Sequence, residues 1–220
     1  MLKLTTATAA ALFSAGIAQA AVIDFEDFEH GDAINSVSVG GVTAAVSVVN
    51  PRRSIDQALA FDTSRTGTPD PDLEGPFSGP ITNPGKVLII AQNSREPNDE
   101  RFGGTITFLF DQLVDFTSFA AFDAFDNTGP LVVSADTGQT QSFDTGSGDN
   151  ASDLFTDLNF VGISELTFSL PGSGAIDDLT FEISEFGGET PAPIPVPAAL
   201  PLMLAGLGGL AWVGRRRRRG

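Results

Sequence analysis

Acidic loops are the main carriers of chemistry in this sequence. Carboxylates gather in short stretches rich in turn-forming residues: 24–27, 61–64 (FDTS), 69–75 (PDPDLEG), 98–100 (NDE), 123–127 and 175–179 (AIDDL). Calcium takes six to eight oxygen ligands from carboxylates, carbonyls and water, and loops of this kind supply them. We therefore predict a calcium site that uses Asp70 and Asp72 among its ligands.

The acidic stretch at Asp70 is not an EF-hand. Asp70, Asp72, Glu74 and Gly75 imitate the first half of such a loop. The twelfth position is Ile81, where an EF-hand requires a bidentate Glu, so that class is excluded. Any single Asp here could instead be a solvated turn residue, because Asp favours turns for local hydrogen-bonding reasons.

Catalytic chemistry has weaker support in the residues. The chain has no cysteine, which excludes thiol nucleophiles, Cys-based zinc sites and disulfides. His30 is the single histidine, and no GxSxG motif supports a Ser-His-Asp site. Polysaccharide hydrolases use paired carboxylates, but acidic pairs are so numerous in this sequence that having one does not distinguish an enzyme from a non-catalytic protein. We expect a protein that is not an enzyme.

The segments between these acidic loops have the sequence pattern of short β-strands. Apolar residues alternate at period two between turn residues, which favours strands and little helix. The predicted strands are 22–28, 42–49, 58–61, 86–91, 105–110, 116–125, 131–135, 154–160, 164–170 and 176–183. This pattern predicts an all-β body over residues 21–186, an antiparallel β-sandwich of jelly-roll-like topology.

Phenylalanine dominates the predicted core. Five Phe residues occupy alternating positions of the clearest strands, where core packing is their expected role: Phe25, Phe108, Phe110, Phe168 and Phe181. Phe77 and Phe102 lie in loops rich in Gly and Pro, where ligand stacking is the alternative to packing.

Charge is distributed unevenly. Between residues 24 and 189 there are 28 Asp and Glu against six Lys and Arg, a net charge of −22. A body this negative repels phosphate backbones, so we exclude nucleic-acid binding. Self-repulsion at this charge also destabilises the compact state unless cations or salt offset it, which favours the calcium prediction.

The first 20 residues have the pattern of a signal peptide. Lys3 precedes an apolar, Ala-rich stretch that ends in Ala18-Gln19-Ala20, the small-x-small sequence that signal peptidase cleaves. We predict cleavage after Ala20, with Ala21 as the alternative.

The last residues have the pattern of a membrane anchor. Residues 187–197 form a Pro-rich spacer, 198–214 are uncharged and apolar, and a basic tail follows at 215–220. We predict a transmembrane helix over 198–214. The arginines should keep the tail cytoplasmic and set the topology; they are Arg215, Arg216, Arg217, Arg218 and Arg219.

The order of spacer, apolar segment and arginine cluster resembles the PEP-CTERM family of bacterial sorting signals, in its VPLPA variant. The matching motif is Ile194, Pro195, Val196, Pro197 and Ala198, with Ile for the first Val and Val for Leu. The resemblance implies a Gram-negative host and recognition by an exosortase-type membrane protease. It implies anchoring in the inner membrane with the body in the periplasm, followed by transfer to the cell surface or extracellular matrix.

Five short segments of the body resemble extracellular domains found ahead of such signals and jelly-roll carbohydrate-binding modules. They are 60–64, 70–73, 86–90, 103–108 and 174–181. The modules pair a Glu of the N-terminal strand with an Asp near the last strand around calcium. This resemblance implies Glu26 and Asp178 as ligands, with Asp62 and Asp72 next.

Together these features predict an exported, non-catalytic surface or matrix protein with a calcium-stabilised body. The alternative is a binder of cell-surface glycans, with exopolysaccharide as its partner. The body has no Trp or Tyr on which sugars usually dock, which weighs against that alternative. A polysaccharide hydrolase is the second alternative.

Overall fold

The body of the protein is an antiparallel all-β fold with almost no helix. The computed structural model describes residues 20–93, 96–124, 129–145, 148 and 150–185. By contacts the chain divides into two units, Met1–Gly187 and Gly188–Gly220, and every described residue lies in the first. The helical structure among these residues is one 3-10 turn, Pro71–Leu73. The predictions of an all-β class, antiparallel pairing and low helix content are confirmed.

Eleven strands form within the described residues. They are β1 (Ala21–Ile23), β2 (Ser36–Val39), β3 (Val42–Val49), β4 (Ala58–Asp62), β5 (Lys86–Ile90), β6 (Gly104–Phe122), β7 (Leu131–Ala135), β8 (Thr140–Phe143), β9 (Ser152–Phe155), β10 (Phe160–Leu170) and β11 (Ala175–Ile183).

The 19-residue strand β6 organises the sheet. The strand order is β4-β5-β11-β6-β10-β7-β8. The first half of β6 also pairs with β3, which carries β2, and its second half pairs with β9. The first strand, β1, pairs with the last, β11, so that Ile23 lies opposite Leu179. This pairing brings the carboxylates near residue 25 beside those near residue 178.

The larger apolar cluster contains the predicted phenylalanines. Strand β3 alternates strictly between buried and exposed residues, as a strand does when one face meets the core. All five phenylalanines predicted for the core are buried, which confirms that prediction. The Phe168 ring is 5.1 to 6.1 Å from three other rings, those of Phe108, Phe116 and Phe119, in edge-on contacts.

A second apolar cluster lies on the opposite face of β4, β5 and β11. Leu88 belongs to the first cluster and its neighbour Ile89 to the second, and successive strand residues point to opposite faces. Leu73 and Phe77 from the loop between β4 and β5 cover this face. Phe77 contacts Phe122 edge-on at 5.1 Å, so Phe77 is a core residue rather than a ligand platform.

Several predicted strand limits are wrong for local reasons. Strand β1 ends at Ile23 instead of residue 28, because Phe25 adopts a left-handed conformation with φ +53°. Predicted strands 105–110 and 116–125 form the single strand β6, whose ladder with β10 resumes at Val114 after a register shift beyond Leu109. Predicted strand 154–160 is divided at Asp157, whose φ is +59°, between β9 and β10.

Candidate metal site

Four carboxylates lie near enough to influence one another electrostatically where the end of β1 lies beside β11. We call Asp24, Glu26, Asp177 and Asp178 the β1–β11 carboxylate cluster. The ladder between β11 and β6 shifts register between Asp177 and Thr180, and Asp178 has a left-handed backbone with φ +51°. This irregularity interrupts the alternation of side chains, as β-bulges do. It leaves Asp177 buried and Asp178 half-buried in the same strand.

Asp177 is the buried member of this cluster. The residue is only 1% exposed, and its Oδ1 atom has no hydrogen-bond partner in the described part of the chain. Burial raises the pKa of Asp177 to about 10, and the charges of Asp178, Glu26 and Asp24 add to the increase. Burial together with the charges of Asp24 and Glu26 also raises the pKa of Asp178. The cluster therefore favours bound positive charge, whether a proton or a cation.

Glu26 is held in place by the start of β5. Its Oε1 accepts a hydrogen bond from the main-chain amide of Lys86 at 2.7 Å, and the Lys86 ammonium lies 3.4 Å from Oε2. A Cβ on Gly85 would lie 2.0 Å from Glu26 Oε1, and Gly85 has φ +84°. A glycine at position 85 is therefore needed for this carboxylate to approach the backbone.

Asp70 is brought to a different partner, Asp99. Both side chains are buried, and the Asp99 amide donates to Asp70 Oδ2 at 3.0 Å. Asp99 Oδ2 accepts hydrogen bonds from the Ser173 hydroxyl, at 2.6 Å, and from the Gly174 amide. Burial and the neighbouring Asp70 charge raise the pKa of Asp99 well above its ordinary value. This pair joins the β4–β5 loop to the turn before β11.

The remaining predicted ligands lie apart from both groups. Asp62 Oδ1 accepts hydrogen bonds from the amide and hydroxyl of Ser64, at 3.0 and 2.6 Å. Asp72 is half-buried in the 3-10 turn. Of the five predicted ligands, the structure thus brings Glu26 and Asp178 together, while Asp62, Asp70 and Asp72 have other surroundings.

No three His, Asp or Glu side chains among the described residues already converge as a metal-binding group. Calcium accepts carbonyl and water oxygens as well as carboxylates, so a site needs few protein carboxylates. The orphaned Oδ1 of Asp177 is an oxygen ligand that fits a hard cation, because a buried carboxylate oxygen without a partner is costly.

His30 has a structural position. Its Nδ1 accepts a hydrogen bond from the Asp62 amide at 3.0 Å, and its ring contacts Phe61 edge-on at 5.1 Å. Burial, then the positive charge of Arg65, lowers the pKa of His30. In a Ser-His-Asp site the carboxylate accepts from Nδ1–H, which this tautomer lacks. His30 is half-buried.

Two residues of these sites escaped the sequence prediction. Asp177 stands beside the chosen Asp178, and only the register shift in β11 decides which of the two is buried. Asp99 contacts Asp70 although 29 positions separate them in the sequence, and no local sequence pattern predicts that contact.

The predicted signal peptide, spacer, sorting motif, membrane helix and arginine tail lie outside the described residues, except for Ala20 at the end of the signal peptide. Within the part of the chain that is described, no helix has the length and apolar character needed to cross a membrane. The sequence matches no protein-family model, and no curated protein is significantly similar to it.

Proposed function

We propose that this chain is an exported surface or extracellular-matrix protein whose non-catalytic body is stabilised by calcium at the β1–β11 carboxylate cluster. The observation that carries the calcium proposal is the buried Asp177 carboxyl, whose Oδ1 has no partner among the described residues and which feels the negative charges of Asp178, Glu26 and Asp24. At neutral pH this group must hold a proton or a cation. A calcium ion bound to Asp177, with Glu26 or Asp178 as a further ligand, satisfies the orphaned oxygen and offsets the repulsion.

Export is supported by the two ends of the sequence. Residues 1–20 read as a signal peptide for signal peptidase. The motif 194–198, the apolar segment 198–214 and the arginines that follow resemble a sorting signal for an exosortase-type protease. On this proposal a Gram-negative cell holds the protein in its inner membrane with the body in the periplasm, and then passes it to the surface or matrix.

A jelly-roll-like sandwich is the architecture we propose for the body. The division of β6 between β3 on one half and β9 with β11 on the other supports it, because a strand shared in this way can contribute to two facing layers. The larger phenylalanine cluster would fill the space between them.

A non-catalytic role is supported by His30. The single histidine uses Nδ1 to accept from a main-chain amide, and burial lowers its pKa. The best-defined buried carboxyl pair, Asp70 with Asp99, bonds to Ser173 and Gly174 in a structural joint. Both sets of interactions fix loops.

The test is the melting temperature of the full-length protein at constant ionic strength near 1 M, where the Debye length is about 3 Å. Calcium at a hundred times its dissociation constant should stabilise by about 2.7 kcal/mol, a shift of several degrees. Magnesium should give less, because it requires tight octahedral geometry.

Matched variants locate the site. Asp177→Asn and Asp178→Asn should lose the calcium response, while Asp72→Asn, which removes the same charge elsewhere, should keep it. Equal stabilisation by calcium, magnesium and sodium chloride would refute a specific site. Loss of the response in Asp72→Asn alone would move the site to the β4–β5 loop.

A further inference from the structure

A cavity of about 300 Å³ opens between β1 and β2. The buried part of its lining is apolar and includes Ile23, Phe25 and Val37. The exposed part includes the carboxylates Asp24 and Asp27. Its volume lies at the small end of the range for ligand pockets, which suits a short segment rather than a large molecule.

Strand β2 presents unpaired main-chain groups to this cavity. The Val46 amide donates to the Asn35 carbonyl at 2.8 Å, and hydrogen-bonded pairs recur at every second residue of an antiparallel ladder. Val37 therefore also bonds to β3, whereas the amides and carbonyls of Ser36 and Ser38 point to the opposite edge. Both serines line the cavity, and no hydrogen bond among the described residues reaches these main-chain groups.

Strand β1 turns its outer edge to the same cavity. The Ser184 amide donates to the Leu113 carbonyl at 2.9 Å, so every second residue of this end of β11 bonds to β6. Phe181 has the other parity and bonds to its partner Ala21 in β1. The main-chain groups of Val22 therefore point away from β11. No described pairing joins β1 to β2, so two strand edges face the cavity.

The cavity is acidic. The described residues that line it include two carboxylates, Asp24 and Asp27, and no Lys, Arg or His. The exposed Glu26 lies between them in the sequence, and its charge is balanced by the Lys86 ammonium at 3.4 Å. A basic ligand is attracted to such a surface. A second copy of this body is repelled, because it carries a formal charge of −22 between residues 24 and 189.

We propose that this cavity binds an extended, basic peptide segment of a partner protein, which adds main-chain hydrogen bonds to the outer edge of β2. Unpaired strand edges accept extended peptides in this way. Ser36 and Ser38 each offer one donor and one acceptor, which a peptide satisfies and a polyamine, having donors only, does not. Basic side chains of the segment lie near Asp24 and Asp27, and its alternate apolar side chains face Val37.

The test measures binding of fluorescently labelled hexapeptides to the full-length protein by anisotropy, at an ionic strength of about 0.15 M with EDTA present. We expect saturable binding of acetyl-KVKVKV-amide and no binding of acetyl-EVEVEV-amide, in which only the charge is reversed. Spermine at matched charge should not displace the basic peptide. EDTA keeps this result separate from the calcium proposal, whose failure would leave it unchanged.

Methylated peptides test the strand pairing. Alternate amides of an extended peptide point to opposite edges, so methylation of the three Lys amides and of the three Val amides blocks opposite edges at equal charge. One pattern should weaken binding about tenfold or more, because the lost hydrogen bonds leave main-chain groups unpaired. The other pattern should weaken it by less than about threefold, because its methyl groups face away from β2.

Protein variants locate the site. Ser38→Pro removes an amide of the outer edge without breaking the ladder to β3, and should weaken binding about tenfold. Ser38→Ala keeps that amide and should stay within about twofold. Asp27→Asn should weaken binding about threefold, as loss of an exposed ion pair does. Asp144→Asn removes the same charge after β8, four strands away from β2, and should leave binding unchanged.

Thermal melting should show that these variants remain folded, and the methylated peptides decide the pairing even if Ser38→Pro unfolds the protein. The proposal is overturned by absence of saturable binding, by equal binding of the acidic peptide, or by equal effects of the two methylation patterns. Displacement by spermine, or equal losses in Asp27→Asn and Asp144→Asn, would also overturn it. Self-association that Ser38→Pro abolishes, without peptide binding, would assign the edge to a second copy of the chain instead.

Discussion

Asp177 carries an acidic group in a place that water does not reach. Its exposed fraction is 1%, and no described residue hydrogen-bonds to one of its two oxygens. Removing an ionised carboxylate from water costs several kcal/mol or more, so the group takes up a proton unless a cation replaces it. Protonation links the stability of the fold to pH.

We predict that stability falls as the pH rises through neutrality, and that Asp177→Asn weakens this dependence. Burial first, then neighbouring carboxylates, raise the pKa of Asp177 from 3.8 to about 10. Between these values the folded state holds a proton that the unfolded chain has released, so rising pH favours unfolding. Below pH 3.8 both states hold the proton, and the contribution is complete.

Urea unfolding in EDTA at about pH 5, 7 and 9 measures this slope. The wild-type free energy of unfolding should decline more steeply than that of Asp177→Asn, because Asn does not titrate. Parallel declines in the two proteins would show that Asp177 is ionised in the folded state.

At the scale of elements, the sequence predicts strands well where one face is buried. The limits of β3 and β7 match the prediction, because Val and Ala alternate there with exposed or half-buried residues. Strands β2 and β8 were not predicted, since SVSV and TQSF are short and mostly polar. These two strands form because they pair with β3 and β7, and not because of an apolar pattern in their own residues.

The candidate site was predictable only in part. Glu26 and Asp178 are near enough to interact electrostatically because β1 pairs with β11, while the metal role that the resemblance implied for them stays a prediction. Asp70 contacts Asp99 because Leu73 and Phe77 pack the β4–β5 loop, which carries Asp70, against the second apolar cluster. The packing of a long loop depends on the whole fold, so the spacing of its carboxylates could not reveal their partners.

We predict that Phe168→Ala in β10 destabilises the body by about 3–5 kcal/mol, because it leaves a cavity among three rings. Phe168→Leu, which preserves more volume, should cost less than about 1.5 kcal/mol. Phe102→Ala, at a position 45% exposed, serves as control and should stay within about 0.5 kcal/mol. Urea unfolding measures all three, and equal losses at positions 168 and 102 would contradict the assigned core.

At the scale of the whole molecule, the formal charge of −22 between residues 24 and 189 overstates the repulsion within the body. The pKa of Asp177, raised to about 10 chiefly by burial, favours the neutral form of that carboxyl, and burial and the neighbouring Asp70 charge also raise the pKa of Asp99. Lys86 and Arg53 each form an ion pair with a glutamate. The body thus lowers its own charge at its most buried positions, and the exposed carboxylates keep their hydration.

We predict that the exported protein begins at Ala21. Strand β1 starts at this residue, which pairs with Phe181, so cleavage after Ala20 leaves the strand intact. Mass spectrometry of the N-terminal peptide measures the start directly. Ala18→Arg should block cleavage, because signal peptidase requires small residues there. An intact Met1 on the wild-type protein would contradict export.

The pairing of the first strand with the last also sets the order of events during folding. Ala21 and Phe181 are neighbours in the sheet although 160 positions separate them in the chain. Contacts of such long range form late, because a large loop must close before they contribute. The nascent chain cannot complete its central sheet until β11 has been synthesised. A polypeptide that must be threaded through a secretion channel before it folds benefits from this delay.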